Sequence, residues 1–272
     1  MISTTTLRLS KLHATGNDFL VRLALEPGAP ALGERAVAAL CDRHRGVGAD
    51  GLITITAGRD GADCTMILQN ADGGIAEMSG NGSRCLAWVA ARAGLGTATE
   101  LVVDTGGGRR TIGLERDARG DVVAAGVDMG PVTFGDTDVA LAVDGADYVG
   151  DVANVGNPHF VCFVDDPEQV PVTVHGPVIE HDRRFPQRTN VEFLRVKAPD
   201  TIEMRVWERG AGETLSCGTG ACASAAVAHR RGLVEPEVRV LVSGGELAVT
   251  LGESVHLGGP VVHVFDVEIE LP

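Results

Sequence analysis

Residues 79–82 read Ser-Gly-Asn-Gly, and residues 217–220 read Cys-Gly-Thr-Gly, 138 positions further along the chain. Each tetrapeptide is followed by an alanine-rich run that closes on a glycine. A second pair of similar turns, Gly-Asn-Asp at 16–18 and Gly-Asn-Pro at 156–158, lies 140 positions apart. The paired motifs occur in the same order and are separated by nearly the same number of residues. This spacing predicts two homologous halves, because such internal repeats reflect a repeated structural unit.

Each half is predicted to be of the α/β class. Short alternating or β-branched runs predict strands, and amphipathic runs of helical period predict helices. The predicted strands cover residues 7–12, 52–56, 65–69, 101–103, 160–164, 191–196, 202–207 and 261–269, and the predicted helices cover 32–44, 81–93 and 219–231. Many strands with few helices predict that each half wraps a twisted sheet around one central helix. The stretch 115–127, rich in Asp, Gly and Arg, is the predicted boundary between the halves.

The charge, hydropathy and cysteine content of the chain indicate which classes of binding partner to expect. A net charge of −14 disfavours nucleic acid and anionic lipid. The chain has no apolar run of about 18 residues and no secretory signal at its start, so we expect a cytoplasmic protein without a membrane span. Six cysteines form neither a disulfide framework nor a zinc spacing, so no metal is expected.

The two Gly-x-Gly turns indicate a chemistry. A helix that begins at such a turn offers N–H groups without intrahelical acceptors and the positive end of its dipole, so it can hold a carboxylate. It also stabilises the charge that develops when the α-carbon loses a proton. Ser79 and Cys217 precede the two turns; a carboxylate held by both helices would have one proton carrier on each face of its α-carbon, as a racemase requires. A helix end favours a thiolate, so the pKa of Cys217 is predicted to lie below the usual value of about 8.5.

Each turn taken singly also has a plain structural interpretation. The glycines then only reverse the chain, and Cys217 is a small buried hydrophobe, as most free cysteines are. Two copies at matching positions of matched halves favour the chemical interpretation.

Eight segments carry a further signal. In chain order they are Lys-Leu-His-Ala-Thr-Gly-Asn-Asp-Phe at 11–19, Asp-Arg-His-Arg-Gly-Val-Gly-Ala-Asp-Gly at 42–51, Asn-Ala-Asp-Gly at 70–73, Ser-Gly-Asn-Gly-Ser-Arg-Cys at 79–85, Gly-Asn-Pro-His at 156–159, Thr-Asn-Val-Glu-Phe at 189–193, Trp-Glu-Arg-Gly-Ala-Gly-Glu-Thr at 207–214 and Cys-Gly-Thr-Gly at 217–220. With this ordered set the chain resembles the diaminopimelate epimerase family over its whole length.

The resemblance implies two pseudo-symmetric α/β domains with the active site in the cleft between them. The first domain would comprise residues 1–125, with 263–272 returning to it, and the second would comprise 126–262. It further implies a cofactor-independent isomerase, without pyridoxal phosphate or metal, that interconverts LL- and meso-2,6-diaminoheptanedioate (diaminopimelate) for lysine and peptidoglycan synthesis. A homodimer is a further expectation.

The resemblance also implies roles for single residues. Cys217 and Ser79 occupy the two acid/base positions, and His159 and Glu208 would tune the group on the first domain. The groups expected to bind substrate are the backbone N–H groups of Gly80, Asn81, Gly218 and Thr219 for the reacting carboxylate, and Asn17, Asn70, Asn157, Asn190, Glu208 and Arg209 for the remaining polar groups. The plain alternatives are turn chemistry for the asparagines, an exposed ion pair for Glu208 and Arg209, and a structural role for His159.

Position 79 departs from the family pattern, which has a cysteine there. A serine hydroxyl does not ionise near neutral pH without a strong base beside it. Three hypotheses follow: a natural variant in which Ser79, activated by His159 and Glu208, still relays protons; an engineered change from cysteine; or an altered reaction, such as a dehydratase.

Two rival functions also remain at this point: a racemase or epimerase for another amino acid, and a non-catalytic sensor. Asn70, Asn190 and Arg209, the set expected to bind the distal carboxylate, favour a dicarboxylic substrate.

Overall fold

The computed structural model describes residues 5–26 and 31–271. These residues form two compact units, one within Met1–Val127 together with Gly259–Pro272 and the other within Asp128–Gly258. Each unit has a mixed sheet and two α-helices among its described residues. No helix among those residues is both long and apolar enough to cross a membrane.

The elements of the two units correspond in order, except that the second unit has an additional short strand and a 3₁₀ turn, and that the strand at the end of the chain completes the first unit whereas its counterpart stands near the start of the second. The first unit contains β1 (Thr5–Ala14), β2 (Asn17–Leu23), α1 (Glu34–Cys41), β3 (Gly51–Ala57), β4 (Cys64–Asn70), β5 (Ile75–Ala76), α2 (Gly80–Arg92), β6 (Glu100–Thr105), β7 (Gly108–Arg116), β8 (Val122–Asp128) and, from the end of the chain, β19 (Val262–Leu271). The second contains β9 (Thr133–Phe134), β10 (Val139–Val143), β11 (Ala146–Asn154), β12 (Pro158–Phe163), a 3₁₀ turn (Pro167–Gln169), α3 (Val172–Glu180), β13 (Asn190–Ala198), β14 (Thr201–Glu208), β15 (Gly212–Thr214), α4 (Gly218–Arg230), β16 (Glu237–Val242), β17 (Gly245–Leu251) and β18 (Val255–Pro260).

The sheets share one topology. In the first unit the strand order is β19-β1-β2-β3-β4-β6-β7-β8, with β2/β3 and β4/β6 parallel and the other neighbours antiparallel. In the second unit it is β10-β11-β12-β13-β14-β16-β17-β18, with β12/β13 and β14/β16 parallel. Each parallel pair is joined through a helix, as a parallel connection requires. The pseudo-symmetric α/β fold predicted from the repeat is confirmed.

The helices α2 and α4 are the centres of the two units. Helix α2 contacts β1, β2, β3, β4 and β7, whereas α4 contacts β11, β12, β13, β14, β16 and β17. Both helices are buried along most of their length and on all sides, from the first residue to the last turn. A surface helix would keep one polar face in solvent, so each sheet wraps around its helix, as predicted.

Helix α3 was not predicted, because Pro177 and Gly176 discourage a helix on propensity alone. Packing explains why the helix forms there. A side chain at Gly176 would come within 2.5 Å of the Trp207 ring on β14, so glycine permits a close approach of the helix to the sheet. The predicted helix at 32–44 is shorter in the structure, where α1 spans Glu34–Cys41. The predicted boundary stretch contains a turn and most of β8.

The six cysteines are buried, and burial raises their pKa. The pKa of Cys41 rises to about 11, and those of Cys64, Cys85 and Cys222 rise to about 12. In the unfolded chain a thiol titrates near 9.0. Above that pH the unfolded chain loses protons that the folded protein keeps, so each such thiol lowers the free energy of unfolding by about 1.4 kcal/mol per pH unit.

We therefore expect the free energy of unfolding to fall between about pH 9 and pH 11, the range between the unfolded and folded pKa values. Replacing one thiol, Cys222→Ala, should reduce that slope by about 1.4 kcal/mol per pH unit. Denaturant unfolding of both proteins at several pH values measures the difference. An equal slope in the two proteins would contradict the explanation.

Candidate active site

Ser79 and Cys217 cap the two central helices in the same way. Ser79 is the N-cap of α2, and its Oγ accepts a hydrogen bond from the Gly82 N–H at 3.0 Å. Cys217 is the N-cap of α4, and its Sγ accepts one from the Gly220 N–H at 3.3 Å. Both capping residues have extended backbone angles, the usual N-cap conformation. The two predicted acid/base positions are therefore equivalent in local structure.

Close packing favours the second glycine of each Gly-x-Gly turn, most strongly at Gly220. A Cβ on Gly220 would lie 2.6 Å from Oε1 of Glu192, and a Cβ on Gly82 would lie 3.2 Å from the side chain of Ile53. At equivalent positions of the two units, a carboxylate therefore packs against α4 and a hydrocarbon side chain packs against α2. This difference between the units is a property of the side chains, since the backbone elements correspond.

A chain of hydrogen bonds ends at the Cys217 thiol. The Thr219 hydroxyl lies 3.4 Å from Sγ, and Nδ2 of Asn157 donates to that hydroxyl at 3.3 Å. Oδ1 of Asn157 lies 2.9 Å from Nε2 of His159, whose Nδ1 lies 2.7 Å from Oε1 of Glu192. The Thr219 hydroxyl accepts the Asn157 hydrogen bond with one lone pair, so its own proton is free to point toward the sulfur. The structure thus places Cys217, Thr219, Asn157 and His159 of the predicted set together.

The predicted lowering of the Cys217 pKa is wrong in direction. Burial raises the pKa of this thiol well above its usual value, and the carboxylates of Glu208 and Glu192 raise it further. The hydrogen bonds from Thr219 and from the Gly220 N–H lower the pKa, as expected for a helix end, but they are outweighed. Cys217 is therefore a thiol near neutral pH, ready to donate its proton.

Glu208 is the group beside Cys217 that can take this proton. Burial raises the pKa of Glu208, whereas hydrogen bonds from the Thr214 hydroxyl and from Cys217 lower it. A carboxylate with a raised pKa that accepts a hydrogen bond from a thiol is a suitable proton acceptor. Within this unit, Glu208 and Cys217 are hydrogen-bonded to each other, and burial raises the pKa of both.

His159 lies in a buried network. Its ring and the Glu192 carboxyl are both fully buried, and both ring nitrogens have partners, Glu192 and Asn157. Asn157 accepts at Nε2, so that nitrogen carries a proton. The role of His159 in activating Ser79 stays a prediction. In this structure the ring is hydrogen-bonded to Asn157.

Asn190 and Arg209 are brought together through the backbone. Oδ1 of Asn190 accepts from the Arg209 N–H at 2.9 Å, and its Nδ2 donates to the Pro158 carbonyl at 2.8 Å. The Arg209 side chain is exposed and donates to the Gln187 carbonyl at 3.1 Å. Asn190 thus holds the turn that presents Arg209.

In the first unit Asn17 and Asn81 lie together, with Nδ2 of Asn81 donating to Oδ1 of Asn17 at 3.2 Å. Asn70 is exposed at the end of β4, and Gly80 opens α2 as Gly218 opens α4. The described residues contain no group of three His, Cys, Asp or Glu side chains placed to hold a metal ion.

Two residues at these sites were not predicted. Glu192 lies between apolar neighbours on β13, and Arg84 lies between Ser83 and Cys85 on α2; both have essentially no exposure. A charged residue inside such a run is the sequence signal that could have identified them, since buried charges are rare without a function or a partner.

Comparison with known proteins gives a consistent picture. The family model described as diaminopimelate epimerase matches residues 9–135 and 152–264. The diaminopimelate epimerase of Heliobacterium modesticaldum is 40% identical, covering 96% of this chain and 99% of its own. That of Acidiphilium cryptum is 41% identical, covering 96% of this chain and 95% of its own.

Solved structures of similar fold are more distant in sequence. A hydroxyproline epimerase from Agrobacterium vitis matches with a TM-score of 0.71 at 17% identity, over 98% of this chain and 93% of its own. A Bacillus anthracis phenazine biosynthesis protein of the PhzF family matches with a TM-score of 0.75 at 15% identity, over 97% and 99%. At these identities the likeness shows the fold alone.

The Thr219 hydroxyl offers a test of the hydrogen-bond chain. Thr219→Val removes the hydroxyl that lowers the Cys217 pKa, so the thiol should ionise at higher pH. The rate of alkylation of Cys217 by iodoacetamide rises with pH until the thiol is fully ionised. Below that pH we expect the rate in Thr219→Val to be about tenfold lower than in the native chain, because the thiolate loses about 1.4 kcal/mol of hydrogen bonding. Peptide mass spectrometry across pH measures the rate at this cysteine.

Thr219→Ser is the matched control, because it keeps the hydroxyl and should retain the original pH profile. If valine and serine gave the same profile, Thr219 would not hydrogen bond to the thiolate.

Proposed function

The chain belongs to the diaminopimelate epimerase family, and we propose that Ser79 and Cys217 are the two groups that exchange the α-proton of its substrate. The enzyme is an isomerase that interconverts LL- and meso-diaminopimelate without a cofactor, in lysine biosynthesis. The observation that carries the assignment of the two groups is their identical position as N-caps of α2 and α4. Each side chain lies beside helix N–H groups that can hold the reacting carboxylate.

Cys217 works with Glu208 in this proposal. When Cys217 takes the α-proton, its own proton first passes to Glu208, which already accepts a hydrogen bond from the thiol. The resulting thiolate is stabilised by the Gly220 N–H and the Thr219 hydroxyl. When Cys217 gives its proton to the α-carbon, the thiol is already in the required form, because its pKa is raised. The Glu208 carboxylate therefore holds the thiol proton while Cys217 acts as a base and can return it when Cys217 acts as an acid.

Ser79 is the weaker carrier. Its hydroxyl accepts a hydrogen bond from Gly82 and presents a proton that it can donate. To remove a proton it needs an acceptor for its own, directly or through water, because a serine hydroxyl ionises far less readily than a thiol. The proposal is a natural variant in which the step at Ser79 limits the rate, and a variant with no activity is the alternative that the experiment below separates.

The remaining assignments belong to the same proposal. The N–H groups of Gly80, Asn81, Gly218 and Thr219 would bind the reacting carboxylate. The rest of the substrate would be held by Asn17, Asn70, Asn157, Asn190, Glu208 and Arg209, with Arg209 on the distal carboxylate. The hydrogen bond from the Arg209 backbone N–H to Asn190 supports the role of Arg209 on the distal carboxylate. It fixes the backbone that carries the guanidinium, which can bind a carboxylate through two parallel hydrogen bonds. We also expect a cytoplasmic homodimer.

The test is a proton NMR assay with LL-diaminopimelate in deuterated water. We expect loss of the α-proton signal together with formation of the meso isomer. Ser79→Cys should raise kcat, and Cys217→Ala should lower it, each by about 10²-fold or more, the usual contribution of a positioned acid or base. Cys222→Ala is the matched control, because it removes another buried thiol of α4 and should leave kcat unchanged.

The outcomes are distinct. Exchange without inversion would mean that only Cys217 carries protons and would refute the role of Ser79. No exchange in the native chain, with activity appearing in Ser79→Cys, would mark the serine as inactivating. Full activity in Cys217→Ala would overturn the assignment of both groups.

A further inference from the structure

Arg84 is a buried cation on the central helix of the first unit. It lies on α2 with 0% of its surface exposed, and burial lowers its pKa to about 10. Its guanidinium donates to the Pro260 carbonyl at 3.0 Å, to the Thr15 hydroxyl at 3.3 Å and to Oδ1 of Asn81. Among the residues that the structure describes, no carboxylate forms an ion pair with it. A buried charge of this kind is costly, so its retention calls for a reason.

The second unit has the same topology without an arginine at this position. The equivalent position in the second unit, one turn into α4, is Cys222, an uncharged residue in the same element of the same topology. Long helical side chains point back toward the N-terminus of their helix. The Arg84 guanidinium accordingly reaches Asn81, in the first turn of α2, where the carboxylate is proposed to bind.

Arg84 begins a chain of four side chains. It donates to Oδ1 of Asn81, Nδ2 of Asn81 donates to Oδ1 of Asn17 at 3.2 Å, and Nδ2 of Asn17 donates to Oδ2 of Asp50 at 2.7 Å. The chain joins β2, α2 and the loop before β3. It also unites three of the segments that carry the family resemblance, at 11–19, 42–51 and 79–85.

The chemistry of the two ends fixes every link between them. A guanidinium can only donate and a carboxylate can only accept. Asn81 must therefore turn its oxygen toward Arg84, and Asn17 must turn its amide nitrogen toward Asp50. The central bond between the two amides then has a single direction. Neither asparagine can exchange its oxygen and nitrogen without breaking hydrogen bonds at both of its ends.

Asp50 is itself held in place. Arg43 bridges Asp50 and Asp18, at 2.6 Å to each, and Lys11 pairs with Asp18. Burial alone would raise the pKa of Asp18, but the hydrogen bonds from Arg43 and Lys11 hold it well below its usual range. Asp50 also accepts the Asp18 N–H at 3.1 Å. The accepting end of the chain is therefore as well anchored as the donating end.

We propose that Arg84 and Asp50 are positioning residues that lock the amide orientations of Asn81 and Asn17 for substrate binding. The inference rests on the proposed function, because it takes Asn17 and the first turn of α2 as part of the substrate site. Asp50 orients the amide of Asn17, so that the same donor and acceptor atoms always face the substrate. Arg84 orients Asn81 and places its positive charge behind the helix end that receives the carboxylate.

Asp50→Asn is the first test, because Asp50 is exposed and the change keeps its size. An amide at position 50 must place its NH₂ group against one of the donors that Asp50 accepts, on the side of Asn17 or on the side of Arg43, so the orientation of Asn17 is no longer fixed. We expect KM for LL-diaminopimelate to rise about tenfold, with kcat changing about twofold or less, as expected when binding rather than the chemical step is lost. Steady-state kinetics and thermal unfolding are measured on the full chain.

Asp104→Asn is the matched control. Asp104 pairs with Arg109 at 2.7 Å in the same unit, and among the described residues it forms no ion pair with the chain of four. The same chemical change there should leave KM and kcat at their original values. An unchanged KM in Asp50→Asn, or an equal rise in KM in both variants, would overturn the inference.

Arg84→Lys and Arg84→Gln test the other end. Lysine keeps the charge, whereas glutamine loses it and can also accept a hydrogen bond, so KM should rise more in Arg84→Gln. Equal KM values in these two variants and the native chain would refute the role of Arg84, and Asp50→Asn decides the case if an Arg84 variant does not fold. A failure of the proposed function looks different, since the native chain would then show no conversion, or Cys217→Ala would retain it.

Discussion

The structure depends on the capping of two helices that are buried on all sides. Such a helix has to satisfy its first N–H groups inside the protein, because water does not reach them along its length. In both units one of these groups, the N–H three residues after the capping residue, donates to the capping side chain, which is the side chain proposed to move protons. The remaining groups of the first turn are what a carboxylate needs. The requirement that stabilises the fold thus also creates the binding site, and the Gly-x-Gly sequence follows from both.

Much of this was predictable from the sequence because the information is local. The repeat, the helices α2 and α4 and the capping positions follow from spacing and from residues within one turn of one another. Helix α3 was not predictable in the same way, because Gly176 and Pro177 oppose a helix, and the reason for the helix is its packing on Trp207, about thirty positions further along the chain. The direction of the Cys217 pKa was wrong for a related reason. The helix end does lower the pKa, as predicted, but burial in the folded core outweighs this effect, and two carboxylates from β13 and β14 add to it.

The two units have equal topology and opposite charges near their central helices. Against α4 the carboxylates of Glu192 and Glu208 lie close to the capping thiol, whereas Ile53 occupies the position of Glu192 beside α2. Within α2 the buried cation Arg84 occupies the position that Cys222 has in α4. Carboxylates raise the pKa of a neighbouring acid and provide an acceptor for its proton. A buried cation instead favours a bound anion. The first helix is therefore better suited to hold a carboxylate and the second to move a proton.

This division makes a serine at position 79 understandable. A cap at an anion-binding helix end must accept a hydrogen bond from the helix and stay small, and a hydroxyl does both. In the proposed reaction both caps lose and regain a proton, and beside Cys217 the acceptor is Glu208. Exchange of a thiol for a hydroxyl would therefore be far more damaging at Cys217, where Thr219 and Gly220 are arranged around a sulfur that ionises. The side chains around the two caps, rather than the caps themselves, determine which of the two positions can vary.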